Sequence, residues 1–292
     1  MIVGVIGAGT MGSGIAQAFA QCDKVEKVYM CDIKEEFAEG GLAKVKKNLD
    51  RSVSKGKLEQ AKADEIIGKF VTGLNDICTD ADLIVEAALE DMKIKKDLFK
   101  QLDEQSTKAD CILASNTSSM SVTEIGEGIK HPTIGMHFFN PAPVMKLVEV
   151  IAGINTPTDV VEKIKQISED LGKVPVQVNE GPGFVVNRLL VPMINEGITV
   201  LQEGIADIEG IDNAMKLGCN HPMGPLELAD VVGLDVCLAI MDVLYHETGD
   251  SRYRACTLLR KMVRGKMLGQ KTGKGFYIYD GKEKTPNNAI RG

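Results

Sequence analysis

The 292-residue chain contains no Cys-x-x-Cys pair. Its seven cysteines, Cys22, Cys31, Cys78, Cys111, Cys219, Cys237 and Cys256, are scattered and odd in number. This argues against a disulfide framework and a thiolate zinc site and points to free thiols in a reducing compartment. Histidine is scarce: His131, His137, His221 and His246 are the four present, none at metal-ligand spacing, so no metal is expected. Positive charge is in deficit. The formal net charge of −7 gives no general attraction for nucleic acid or an anionic membrane. Residues 1–22 carry no charged side chain. They lack a basic n-region, and glycines interrupt them, so a folded strand and helix explain them better than a signal peptide. No other segment is apolar enough to span a membrane, and a cytoplasmic protein is expected. There is no internal repeat or low-complexity run.

What is present is an alternation of strand and helix signals. "MIVGVIGAGTMGSGIAQAFAQ" reads as a strand, a glycine turn and an apolar helix, and "KVYMCDI" as a second strand. Residues 34–68 read as a pair of charged helices meeting near Gly56. "FVTGL", "DLIVEAA", "CILASN", "TIGMHFF" and "MKLVEVI" follow as strands, with helices at about 90–104 and 159–171. Ser121 and Glu124 form a Ser-x-x-Glu capping box that opens a helix between the last strands. The pattern predicts an α/β fold, a doubly wound and mostly parallel sheet. From Phe184 onward the signals are helical. We place a boundary near Gly181-Pro182-Gly183, separating a dinucleotide-binding domain over 1–182 from an all-helical domain over 183–292.

Gly7-Ala8-Gly9-Thr10-Met11-Gly12 matches Gly-x-Gly-x-x-Gly, follows a strand and opens a helix, and Asp32 lies twenty positions after its last glycine. Together these contexts make a specific signal for a dinucleotide. The glycines let the backbone approach a pyrophosphate, and the helix N-terminus supplies free N–H groups. Asp32 would accept from the ribose hydroxyls and repel a 2′-phosphate, favouring NAD. Lys34 lies near enough to leave NADP open.

His137 and Glu149 are titratable residues in an otherwise largely apolar stretch, "GMHFFNPAPVMKLVEV". Both faces of "MKLVEVI" look apolar, so Glu149 is expected to be buried and in need of a partner. Two strands joined by a short connection can bring it to His137, where it would fix the tautomer and raise the basicity of the ring. That suits removal of a hydroxyl proton while hydride leaves the same carbon. Ser118, in "SNTSSM", follows a strand, where open α/β sheets bind ligands. It reads equally well as a loop cap. Asn187 reads first as a core amide. Lys44, Lys47, Arg51 and Lys55 share one helix face, either a solvated surface or a clamp for a phosphate-bearing ligand.

"GVIGAGTMGSGIAQ", "ASNTSS", "GMHFFNPAPVMKLVEVI", "GPGFVVNRLLVPMINEG", "HPMGPLELAD", "GLD" and "KTGKGFY" together resemble the 3-hydroxyacyl-CoA dehydrogenases, over nearly the whole chain to about Tyr279. The length and layout are similar to the bacterial 3-hydroxybutyryl-CoA members of butyrate and fatty-acid metabolism. The resemblance implies reversible NAD-dependent oxidation of a short (S)-3-hydroxyacyl-CoA to its 3-oxo form, with substrate held in a cleft against the helical domain. By family pattern His137 is the base and Glu149 its partner. Ser118 bonds the substrate oxygen near the nicotinamide and touches the CoA substrate, and Asn187 becomes an active-site residue. Glu90, Lys95 and Lys271 match cofactor contacts, and Lys55 matches the lysine on the coenzyme A phosphates, with Arg51 beside it. Lys44 and Lys47 carry over more loosely. A homodimer through the helical domain is implied. Two other readings are a related hydroxyacid dehydrogenase acting without CoA and a non-catalytic NAD-binding structural protein.

Overall fold

The computed structural model describes residues 1–281 and 283–290. The chain forms two compact units that meet in sequence at Phe184 and Val185. In the first unit, strands β1 (Ile2–Ile6), β2 (Lys27–Asp32), β3 (Phe70–Leu74), β4 (Leu83–Glu86), β5 (Ile112–Ser115), β6 (Thr133–Phe138), β7 (Leu147–Ala152) and β8 (Val174–Asn179) form one sheet. Their order is β3-β2-β1-β4-β5-β6-β7-β8. All neighbours are parallel except β6 and β7. The order reverses between β1 and β4, and such a reversal opens a crevice beyond the carboxyl ends of the strands.

Helices α1 (Thr10–Ala20), α2 (Glu35–Ser54), α3 (Gln60–Gly68), α4 (Met92–Gln105), α5 (Val122–Ile125) and α6 (Thr158–Asp170) cover the sheet. Alternation along the strands serves two cores. Val3 and Val5 of β1 pack in one with Ile15 and Phe19 of α1, Val45 and Leu49 of α2, and Ile164 of α6. Ile6 and Ile84 pack in the other with Leu98, Phe99 and Leu102 of α4. The two charged helices expected over 34–68 are α2 and α3, and Gly56 between them has a φ of 66°, which favours glycine. α5 is a single turn, capped by the Ser121 side chain accepting from Glu124 N at 3.0 Å. β8 is an edge strand that the sequence reading did not identify. Pro175 and its half-exposed pattern weaken the signal, and an edge tolerates a proline that a central strand does not.

The second unit contains α7 (Val186–Gln202), α8 (Ile208–Gly218), α9 (Pro225–Val232), α10 (Leu234–Thr248) and α11 (Thr257–Arg264) around an aliphatic core. The expectation of an all-helical domain needs one correction. β9 (Tyr277–Asp280) and β10 (Glu283–Pro286) form an antiparallel hairpin. Its strands are four residues each and largely exposed, too short for a clear alternation. Buried aspartates tether its base. Asp230 accepts from Phe276 N at 3.0 Å and Tyr277 N at 2.8 Å, and Asp212 accepts from the Tyr277 hydroxyl at 2.7 Å.

Candidate active site

The glycine turn follows β1, and its three glycines meet three constraints. Gly7 has a φ of 94°, and a Cβ there would lie 2.6 Å from the carbonyl oxygen of Ala87. A Cβ on Gly12 would lie 1.6 Å from the carbonyl oxygen of Gly7, so helix and strand could not close. A Cβ on Gly9 would meet nothing within 4 Å, leaving an open approach to the backbone. Gly9 stands at the N-cap of α1, and no side chain caps the helix. The first-turn N–H groups are therefore available to an anion. Asp32, at the end of β2, accepts from Ala8 N at 2.7 Å and Ile33 N at 2.8 Å. It holds the turn while keeping lone pairs for other donors. Beside it, Ile33, Asn75, Ala88, Ile94 and Leu98 line a cavity of about 290 Å³ that the sequence did not reveal. An open glycine backbone, an uncapped helix, a strand-end carboxylate and a partly apolar cavity fit a dinucleotide.

Further along the crest, Asn116 follows β5. Its Oδ1 accepts from Phe138 N at 2.8 Å, tying β5 to the end of β6. There the antiparallel pairing puts His137 directly opposite Glu149. The two are 4% and 1% exposed, and His137 Nδ1 lies 2.8 Å from Glu149 Oε2. With Glu149 ionised, Nδ1 carries the proton and Nε2 presents a lone pair. Phe139 and Phe184 pack on the ring at centroid distances of 4.5 and 5.7 Å. Phe184 has a φ of 52°, sparsely populated for an aromatic residue. The loop between the two strands is held by Lys173, which sequence reading did not single out. Its ammonium donates to Ala142 O at 2.6 Å and Met145 O at 2.9 Å, while burial pulls its pKa down.

Ser118 lies in the turn after β5, with its amide donating to Glu90 Oε1 at 2.8 Å. Lys95 is 1% exposed and its ammonium lies 2.7 Å from Glu86 and 3.3 Å from Glu90. Lys44, Lys47, Arg51 and Lys55 are exposed, and the buried stripe of α2 is Ala38, Gly41, Val45 and Leu49. Asn187 in the first turn of α7 and Lys271 belong to the second unit, where Lys271 pairs with Asp235 at 2.5 Å. Among the described residues no group of three or more His, Cys, Asp or Glu could hold a metal ion.

Turn, uncapped helix and switch-point crevice define a dinucleotide-binding protein. The family model of the 3-hydroxyacyl-CoA dehydrogenase NAD binding domain matches residues 2–181, and that of the C-terminal domain of the same enzymes matches 183–279. The chain belongs to the 3-hydroxyacyl-CoA dehydrogenase family and is an NAD-linked oxidoreductase. It is 53% identical to the 3-hydroxybutyryl-CoA dehydrogenase of Clostridioides difficile, over 96% of this chain and 100% of that one. The 3-hydroxybutyryl-CoA dehydrogenase of Bradyrhizobium diazoefficiens is 44% identical over 97% of both chains. The solved (S)-3-hydroxybutyryl-CoA dehydrogenase of Ralstonia eutropha has a TM-score of 0.90 at 46% identity, covering 96% of this chain and 99% of its own.

Proposed function

We propose that the chain interconverts (S)-3-hydroxybutyryl-CoA and acetoacetyl-CoA. The observation that carries this reading is the buried His137–Glu149 pair on the same strand-end crest as the glycine turn. NAD, when bound, supplies the hydride acceptor for oxidation and the donor for reduction. His137 takes the C3 hydroxyl proton at Nε2 and returns it in the reductive direction. Glu149 keeps the proton on Nδ1 and stabilises the imidazolium that forms. Ser118 and Asn187 orient and polarise the C3 oxygen.

Gly7, Ala8, Gly9, Thr10, Met11 and Gly12 cradle the pyrophosphate, and Asp32 takes the ribose hydroxyls. A 2′-phosphate beside Asp32 would meet a like charge, so NADH is the preferred reductant. Glu90, Lys95 and Lys271 complete the cofactor set, with Lys95 acting through Glu90, since two carboxylates engage its ammonium. Lys55 and Arg51 bind the coenzyme A phosphates, supported by their exposure, Arg51 in the last turn of α2 and Lys55 at its C-cap. The first unit is the cofactor domain and the second the dimerisation domain of a homodimer, whose mass sedimentation velocity measures. The seven free thiols support a reducing, cytoplasmic setting. No helix among the described residues is long and apolar enough to cross a membrane.

The test is an initial-rate assay of acetoacetyl-CoA reduction with NADH and with NADPH, against free acetoacetate as the alternative substrate. Turnover of the thioester with NADH is expected. Comparable kcat/KM on free acetoacetate would favour a hydroxyacid dehydrogenase acting without CoA, and no turnover of either would favour a binding protein.

A further inference from the structure

One charge cluster, buried at Glu86 and Lys95, stands behind the crest. Glu86, the last residue of β4, is 0% exposed. A carboxylate without solvent is costly unless it is paired and hydrogen-bonded. Its Oε1 accepts from Lys95 Nζ and Ala88 N, both at 2.7 Å, and its Oε2 accepts from Ser115 Oγ at 2.6 Å. Lys95 lies at a core position of α4, in line with Leu98, Phe99 and Leu102. An aliphatic residue there would serve the core, so the charge needs another explanation. Its ammonium continues to Glu90 Oε2 at 3.3 Å. Glu90 Oε1 in turn accepts from Thr117 Oγ1 at 2.6 Å, Ser118 N at 2.8 Å and Ser119 N at 3.2 Å.

The cluster therefore reaches both sides of the crevice. On one side Glu86 pins Ala88, beside the Ala87 carbonyl on which Gly7 closes. On the other, through Lys95 and Glu90, it holds the turn that carries Ser118. A buried ion pair is weak evidence for stability, because well-packed apolar residues of similar volume often do as well. What fixed donors and acceptors supply instead is direction, the property a preorganised site needs.

We propose that Glu86 is a positioning residue for the cofactor site: it orients Lys95, and through Lys95 and Glu90 it sets the 117–119 turn against the glycine turn. This rests on the function proposed above. Glu86→Gln removes the charge that holds Lys95, and Lys95 then turns toward Glu90 and competes with the amides of Ser118 and Ser119.

The experiment measures NADH binding by fluorescence titration, thermal unfolding, and KM for NADH and acetoacetyl-CoA. Glu86→Gln is expected to raise the NADH Kd and KM at least tenfold and to change KM for acetoacetyl-CoA less than threefold. The double variant Glu86→Leu/Lys95→Met separates positioning from support of the core. It is expected to unfold at or above the wild-type temperature and still lose at least tenfold in NADH affinity. Wild-type NADH affinity in a folded double variant overturns the proposal. Should neither variant fold, Glu90→Gln, at an exposed position, removes the charge that links Lys95 to the turn, and an unchanged NADH Kd there overturns it as well. Absence of NADH binding by the unsubstituted protein overturns the proposed function and this inference together. Binding that no variant alters overturns this inference alone.

Discussion

At the scale of single residues, two histidines sit beside buried carboxylates, and geometry separates their uses. His131 has both ring nitrogens engaged, Nδ1 with Asp103 at 2.6 Å and Nε2 with Lys108 O at 3.2 Å. It ties the β5–β6 connection to α4 and keeps nothing for a ligand. His137 is held through Nδ1, and the pairing leaves Nε2 outside it. His137→Gln is therefore expected to lower kcat by roughly 10²- to 10⁴-fold, the range of a lost general base, with NADH affinity nearly unchanged. Steady-state kinetics and an NADH titration check both halves, and near-normal turnover would sink the assignment. The pairing of His137 with Glu149 was legible because a glutamate in a strand apolar on both faces has to find a partner. Glu86 ends "DLIVE" with the same signal, and Lys95 breaks the apolar stripe of a helix. Both could have been found by the same reasoning.

At the scale of elements, α2 serves two purposes on two faces. Its buried face closes on the glycine turn: a Cβ on Gly41 would lie 2.6 Å from the Cβ of Ala8. Its exposed surface presents Lys44, Lys47 and Arg51, and Lys55 follows at the C-cap. Lys55→Ala is expected to raise KM for acetoacetyl-CoA roughly tenfold, from about 1.5 kcal/mol for one charge-assisted contact. KM for the acetoacetyl pantetheine thioester, which lacks the nucleotide phosphates, should stay within twofold. Equal effects on both substrates would remove the phosphate clamp. Long, periodic elements such as α2 and α4 were legible from spacing. β8 and the β9–β10 hairpin were not, because short or edge strands bury too few side chains to impose a period of two. The Ser121 capping box marks the start of its helix, whereas local spacing carries no signal that the helix stops after one turn.

At the scale of the whole molecule, carboxylates of opposite tendency contribute to stability against pH. Asp82 and Asp103 are held below the usual range by hydrogen bonds from Lys108 and Ile2 and from His131 and Lys130, which outweigh their burial. Their contribution is present at neutral pH and is lost as pH falls below the ordinary carboxylate value. Asp230 behaves in the opposite sense: burial pushes it up to about 6 despite its three hydrogen bonds. Between about 4 and 6 the folded state binds a proton there that the unfolded state has released, so stability declines as pH rises through that window. That difference from the ordinary carboxylate value corresponds to about 3 kcal/mol. Urea unfolding at pH 7, 6 and 5 should show increasing stability toward pH 5, and Asp230→Asn should flatten the slope. An unaltered slope would assign it to another group.

The sequence by itself determined the alternation of strands and helices, the glycine turn and its acid twenty residues on, the helical second unit, and the family. These follow from local chemistry: periodicity, glycine's freedom, and a charge at a strand end. Only the tertiary structure decided that β7 runs antiparallel to β6 and so faces Glu149 to His137. It alone joined buried Glu86, Lys95 and Ser115 to the exposed Glu90 in one cluster, and gave Asp230 and Asp212 their hold on the final hairpin. Register and orientation depend on which distant segments share a core, and local propensity carries no record of that.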